Sequence, residues 1–262
     1  MDPYVAPLSQ MQYVYARQGC AAFRTKVAGS KLTTFVLIPG AGTDPRVYGA
    51  TIEALHDRGH HGLAPPLPLD DSDARPSDHA AAVAKAASDE TDVVVVAQSL
   101  GAFAGPLVAQ QLGAAALILV APMIPQPGET AGEWWGNTGH ATAIAEVIER
   151  HGPMAEWGQE AMADVFLHDV DPAVARENAG YQHAPRAGMF TEPWPLDEWP
   201  DVPTRVLAPR EDRLFPIDFQ RSIARERLGL EVDEIDGGHV PMLSRPIELA
   251  ERLIELASDP DR

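Results

Sequence analysis

Ser99 lies in the stretch Ala97-Gln98-Ser99-Leu100-Gly101-Ala102, a hydroxyl framed by small residues. The stretch fits the pattern G-x-S-x-G with Ala97 in the first glycine position. That pattern marks a sharp strand-to-helix turn, which strains the serine backbone and leaves its hydroxyl at the tip. Bulk two residues away on either side would collide across such a turn, so those places take Gly or Ala. A serine that merely caps a helix is the competing explanation. The context favours the nucleophile: "TDVVVV" before it reads as a buried strand, and Leu100, Phe103, Leu107 and Val108 trace an apolar helix face after it. Pro106 falls in the second turn of that helix, where it removes a backbone bond and should kink it.

A serine hydroxyl needs a base, and a histidine base needs an orienting acid. Of the nine histidines, His239 stands out in "DEIDGGHVPMLSRP", after a strand pattern and two glycines. His56, His60, His61 and His79 sit in polar stretches, whereas His140, His151, His168 and His183 fall between residues 122 and 200. His168, in "VFLHDV", is read either as a pocket residue or, more simply, as structural. The acid should follow the preceding strand, and "TRVLAPREDRLFP" supplies Glu211 and Asp212. Asp212 is favoured because its shorter side chain fixes the imidazole more rigidly. The competing explanation is an exposed ion-pair cluster, Arg210-Glu211-Asp212-Arg213. No carboxylate stands in "VAPMIPQ", after the earlier strand.

Ester or amide chemistry at a serine also needs two backbone N–H groups for the tetrahedral oxyanion. One is expected from Leu100, directly after the nucleophile. The other is expected from Ala41 in "FVLIPGAG", where Gly40 and Gly42 let the backbone approach a substrate. A phosphate-binding turn would use similar glycines, but neither G-x-G-x-x-G nor a P-loop lysine is present. Substrate contacts are expected from Gly40, Met123, Trp134, Trp135, His168 and Val240. Neither a metal nor a cofactor is expected.

These residues must be positioned by a scaffold. Two β-type runs, Gln12 to Arg17 and Ala21 to Val27, read as an antiparallel hairpin around Gly19. Apolar strands "TTFVLIP", "HGLAPPLP", "TDVVVV" and "AAALILVA" then alternate with helical patterns at Val47 to Arg58 and Ser77 to Ser88. "TRVLAP", a helix from Pro216 to Leu228, "LEVDEID" and a helix from Pro246 to Ala257 resume the rhythm. Runs apolar throughout, alternating with helices, predict a parallel sheet covered on both faces. From Pro122 to Pro200 strands vanish and helical patterns appear near Ala141 to His151, Ala155 to Leu167 and Pro172 to Ala179. This stretch reads as a helical cap (122–200) inserted into a core formed by 1–121 and 201–262. All five tryptophans lie in it: Trp134, Trp135, Trp157, Trp194 and Trp199. They either line an apolar pocket or fill the cap's own core, with Trp134 and Trp135 among Gly132, Gly136 and Gly139 on a segment free to move.

The 262 residues suffice for one large α/β domain with an insertion. A net charge of −18 argues against nucleic acid and anionic membranes as partners. No apolar run approaches the roughly 20 residues that span a bilayer, and no signal peptide is read at the N-terminus. Cys20 is the only cysteine, which excludes an intrachain disulfide and a thiolate metal cluster. A cytoplasmic location is expected, with a homodimer left open.

Taken together, the phrases "FRTKVAGSKLTTFVLIPGAG", "AQSLGA", "PREDRLFP" and "GGHVPMLSRP" resemble the α/β-hydrolase superfamily over nearly the whole chain. The ending "HVPMLSRP" is similar to its methylesterase and hydroxynitrile lyase-like branch. The resemblance implies an eight-stranded, mostly parallel sheet flanked by helices, with a helical cap inserted after the sixth strand. It also implies cofactor-free ester hydrolysis; with the Ser99-His239-Asp212 triad and the tryptophan-rich cap, the expected reaction is hydrolysis of small to medium hydrophobic carboxylic esters through an acyl-enzyme. Two departures stand out: Ala97 for the first glycine, and Pro39 where a histidine is common. Members of this superfamily also cleave carbon–carbon bonds, act as lyases, or serve as ligand receptors that retain the triad. The lyases of the similar branch use a lysine near the histidine, whereas the three lysines here precede Ser99.

Overall fold

The computed structural model describes residues 32–183 and 186–258. The hairpin expected between Gln12 and Val27, with Cys20, lies outside the described residues. Among the described residues six strands form one sheet: β1 (Thr34–Ile38), β2 (His61–Leu63), β3 (Val93–Gln98), β4 (Ala116–Val120), β5 (Thr204–Pro209) and β6 (Asp233–Ile235). Their order is β2-β1-β3-β4-β5-β6, and every neighbouring pair is parallel. Six strands are therefore described where eight were expected, the first two of the eight being those of the hairpin. Strand β2 is also shorter than its sequence pattern, because Pro65, Pro66 and Pro68 cannot donate to a ladder.

The central strands are apolar on both faces because helices cover both. Val36, Ile38, Val93, Val95, Leu117 and Leu119 point into one core. Phe35, Leu37, Val94, Val96, Ile118 and Val120 point into the other. This alternation is the period-2 geometry of a strand. The helices Gly49–Asp57 and Pro246–Ser258 pack together, as do Pro76–Ala86 and Gly105–Leu112.

Strand order reverses between β1, whose next strand lies on one side, and β3, which lies on the other. In open α/β sheets that crevice, at the carboxyl ends of the strands, is where ligands bind. Ile38 and Ala97 are paired in register, so the loop after β1 and the turn after β3 emerge side by side.

Residues 122–200 connect β4 to β5 through short helices, chief among them Ala131–Asn137, Ala145–His151, Gln159–Phe166 and Pro172–Asn178. The two ends of this connection meet: Thr130 bridges Pro193, Gly128 N–H donates to the Trp194 carbonyl (3.1 Å), and Trp194 N–H donates to that of Glu129 (2.9 Å). The neck is further held by a buried ion pair between Arg227 and Glu129, with Asn137 Nδ2 donating to Glu129 at 2.8 Å. Ala131, Trp134, Met189 and Trp194 belong to the same core as the sheet. The helix that carries Trp134 and Trp135 is therefore tied to the sheet core. Thr130 and Glu133 form a capping box at the start of their helix, and the Trp134 indole N–H donates to the Ile124 carbonyl at 2.9 Å.

Candidate active site

Ser99 has φ 51°, in the left-handed region. A non-glycine residue held there costs on the order of 1–3 kcal/mol, which the surroundings must offset. The surroundings do so through tight packing. A Cβ added to Gly101 would stand 2.7 Å from the Pro39 carbonyl oxygen, so the loop after β1 is pressed directly against the turn. One added to Gly40 would stand 2.9 Å from Ser99 Cβ. The Met123 N–H donates to the Ser99 carbonyl at 3.0 Å.

The segment after Ser99 differs from the single kinked helix read from the sequence. A 3-10 helix spans Ser99–Phe103, and an α-helix begins afresh at Gly105. Pro106 thus stands in the first turn, where its missing N–H has no intrahelical partner to lose. No kink is required.

His239 and Asp212 arrive on loops that follow β6 and β5. His239 Nε2 lies 3.1 Å from Ser99 Oγ, and Nδ1 lies 2.8 Å from Asp212 Oδ2. All three residues are buried: Ser99 is 7 % exposed, His239 2 % and Asp212 4 %. A carboxylate only accepts, so it fixes the Nδ1–H tautomer and leaves Nε2 as an acceptor facing the serine hydroxyl. The other carboxylate oxygen, Oδ1, accepts from the N–H groups of Leu214 (2.8 Å) and Phe215 (2.9 Å). Both carboxylate oxygens are thus engaged. Phe215 and Phe166 meet the imidazole edge-on, with centroids 5.0 and 5.3 Å away.

Glu211 does not reach the imidazole. Its N–H donates to the Gly237 carbonyl (3.0 Å) and its Oε2 accepts from the Gly237 N–H. It ties the acid loop to the histidine loop. The exposed ion-pair cluster considered for residues 210–213 is also resolved by residue: Arg210 pairs with Glu234 and Asp236, and Arg213 with Asp164.

Gln98 is a residue the pattern alone did not single out. It is 3 % exposed. Its Oε1 accepts from the Gly40 N–H at 2.9 Å and its Nε2 donates to the His239 carbonyl at 3.0 Å. One side chain therefore joins the loop after β1 to the histidine loop. The available signal was a lone polar residue ending an apolar strand.

Gly40, Leu100 and Met123 adjoin Ser99, while His168 and Val240 adjoin the histidine loop, with His168 Cε1 packed against Gly238. Ala41 stands between Gly40 and Gly42 (φ 64°) in a turn closed by Thr43 N–H on the Gly40 carbonyl, 3.3 Å. Trp134 and Trp135 stand one ring further away: both pack on Phe215, at 5.4 and 6.0 Å. Trp134 is fully buried. His140, packed among these rings, lies 2.7 Å from the Leu214 carbonyl. Burial pushes its pKa below the ordinary imidazole value, so the ring is neutral and its Nε2–H donates to that carbonyl.

Comparison with known proteins agrees with this architecture. Methylesterase 7 of Arabidopsis thaliana is 28 % identical over 192 residues, covering 65 % of this chain and 71 % of that protein. The crystal structure of polyneuridine aldehyde esterase superposes with a TM-score of 0.72 at 17 % identity, over 87 % of this chain and 100 % of that one. A pyrethroid hydrolase superposes with a TM-score of 0.68 at 23 % identity, over 88 % and 99 %. The sequence profile of the alpha/beta hydrolase family matches residues 35–252, from β1 into the last helix, and the chain belongs to that family.

Proposed function

We propose that the protein is a serine hydrolase that cleaves carboxylic esters of small to medium hydrophobic substrates. The observation that carries this reading is the hydrogen-bonded chain Ser99 Oγ, His239 Nε2, His239 Nδ1, Asp212 Oδ2, at 3.1 and 2.8 Å. Its likeness to proteins named methylesterase, esterase and pyrethroid hydrolase favours esters among the acyl groups a serine could attack.

In this mechanism His239 Nε2 takes the Ser99 proton as Oγ attacks the ester carbonyl carbon. The Leu100 and Ala41 N–H groups bind the oxyanion as the carbonyl becomes tetrahedral. Asp212 stabilises the imidazolium without taking a proton. Collapse of the intermediate expels the alkoxide, which receives the proton from Nε2, and leaves an acyl-Ser99 ester. Water, deprotonated by the same nitrogen, attacks that ester; the acid leaves and Ser99 regains its proton. No step requires a metal or a cofactor.

The substrate is assigned to the crevice between the loop after β1 and the turn after β3. Gly40, Met123 and Val240 bound the reacting carbonyl, His168 and Trp135 stand further out, and residues 122–200 act as a cap that selects the substrate. Trp134 is assigned to the core that this connection shares with the sheet. The test is a panel of p-nitrophenyl, aryl and methyl esters assayed with the wild-type protein and Ser99→Ala. Turnover that disappears in the variant is expected; turnover that survives, or none with any ester, would remove the reading.

A further inference from the structure

His239 is preceded by two glycines, the residues with the greatest backbone freedom. Gly237 itself has φ 99°. An imidazole that must face Ser99 and Asp212 together needs its loop restrained from outside. Two carboxylates provide the restraint, on successive N–H groups. Glu211 accepts from Gly237, and Asp169 Oδ2 accepts from Gly238 at 2.7 Å. Asp169 comes from the connection between β4 and β5, not from the sheet loops.

The whole segment Phe166–Asp169 is seated on this loop. The Phe166 ring lies edge-on to the His239 ring at 5.3 Å. A Cβ on Gly238 would stand 2.7 Å from both His168 Cε1 and Asp169 Oδ1, so the glycine is required for the seating. A Cβ on Gly237 would meet Asp169 Oδ2 at 2.8 Å and Arg245 Nε at 2.9 Å. Asp169 Oδ1 and His168 Nδ1 are buried without a protein partner. Burying a carboxylate oxygen unpaired is costly, and among the described residues the hydrogen bond given to this carboxylate is the one from the histidine loop to Oδ2.

We propose that Asp169 is a positioning residue for His239, acting through the Gly238 N–H, so that the base is aligned only while the Phe166–Asp169 segment is seated. This rests on the reading of Ser99, His239 and Asp212 as the catalytic chain. Seating of the cap and competence of the base are then one event. A charge-assisted hydrogen bond to a backbone N–H is among the stronger single contacts available for this purpose.

The test compares Asp169→Ala, Asp169→Asn and Gly238→Ala with the wild type. The readouts are the rate of Ser99 phosphonylation by a p-nitrophenyl phosphonate, kcat and KM on one activated ester, and the downfield His239 Nδ1–H proton resonance. Asp169→Ala should slow phosphonylation and kcat together, roughly 10- to 100-fold, the scale of a misplaced catalytic group. KM on a small activated ester, too short to reach His168, should stay within about twofold, since Asp169 itself makes no substrate contact. Asp169→Asn should recover most of the rate, because its amide oxygen still accepts from Gly238. Gly238→Ala should be slow, because the methyl unseats the segment without demanding an unusual φ. A wild-type phosphonylation rate in Asp169→Ala or Gly238→Ala, or Asp169→Asn as slow as Asp169→Ala, would overturn the proposal. If Asp169→Ala does not fold, the other two variants decide by the same criteria. If wild-type Ser99 does not react at all, the catalytic reading has failed; the Nδ1–H resonance then decides, and its persistence unshifted in the foldable variants would overturn the positioning role.

Discussion

Ala97 and Gly105 meet beside the Ser99 turn: a methyl added to Gly105 would stand 2.5 Å from Ala97 Cβ. The departure from G-x-S-x-G is thus compensated eight positions on. The missing glycine of the motif has its counterpart at the start of the next helix. Gly105→Ala should overpack the turn and destabilise the protein by about 1–3 kcal/mol. Ala97→Gly combined with Gly105→Ala should recover part of that loss. Chemical denaturation of the two single variants and the pair checks this, and additive losses would reject the compensation.

Gln98 is expected to act on two loops at once. Gln98→Leu leaves the Gly40 N–H and the His239 carbonyl without partners, each buried loss being worth about 1–3 kcal/mol. Gln98→Glu keeps an acceptor for Gly40 but turns an oxygen toward the His239 carbonyl. The glutamate variant should therefore lose more kcat than its near-identical shape suggests. Steady-state kinetics beside thermal melting separates misalignment from unfolding.

Asp212 and Glu211 are adjacent carboxylates with different tasks. Asp212→Asn should lower kcat by about 10⁴-fold through the wrong imidazole tautomer. Glu211→Gln retains an acceptor for the Gly237 N–H and should change kcat only modestly. The reverse ranking would refute the assignment.

Trp134 and Trp135 are neighbours with different surroundings. Trp134→Ala should cost about 3–5 kcal/mol, as for a buried indole, and lower activity on all esters together. Trp135, half-buried, should when truncated shift selectivity between small and bulky esters with a smaller stability loss. Melting temperature measured beside kcat/KM for two esters of different size checks both.

Ser99, Asp212 and His239 were legible because each follows its own strand and sits in a short local pattern. The strand–helix alternation was legible for the same reason, since buried parallel strands read as continuous apolar runs. Bonds that join distant segments left no such trace. Gln98 reaches His239 across 141 positions, and Asp169 reaches Gly238 across 69. The break between the 3-10 helix at Ser99 and the α-helix at Gly105 was also hidden, because the apolar spacing runs through it. For the tryptophan pair, the glycines at 132, 136 and 139 gave no sign of the Thr130–Glu133 capping box and the Trp134 indole bond that anchor the helix.

Ser99 is proposed as the nucleophile on which every other role depends. Its most direct test is to treat the wild-type protein with a p-nitrophenyl phosphonate, follow ester hydrolysis, and map the adduct by peptide mass spectrometry. One adduct per chain is expected, on Ser99, formed in step with loss of activity, absent from Ser99→Ala and formed far more slowly in His239→Ala. An adduct on another residue, or undiminished hydrolysis by Ser99→Ala, would contradict it.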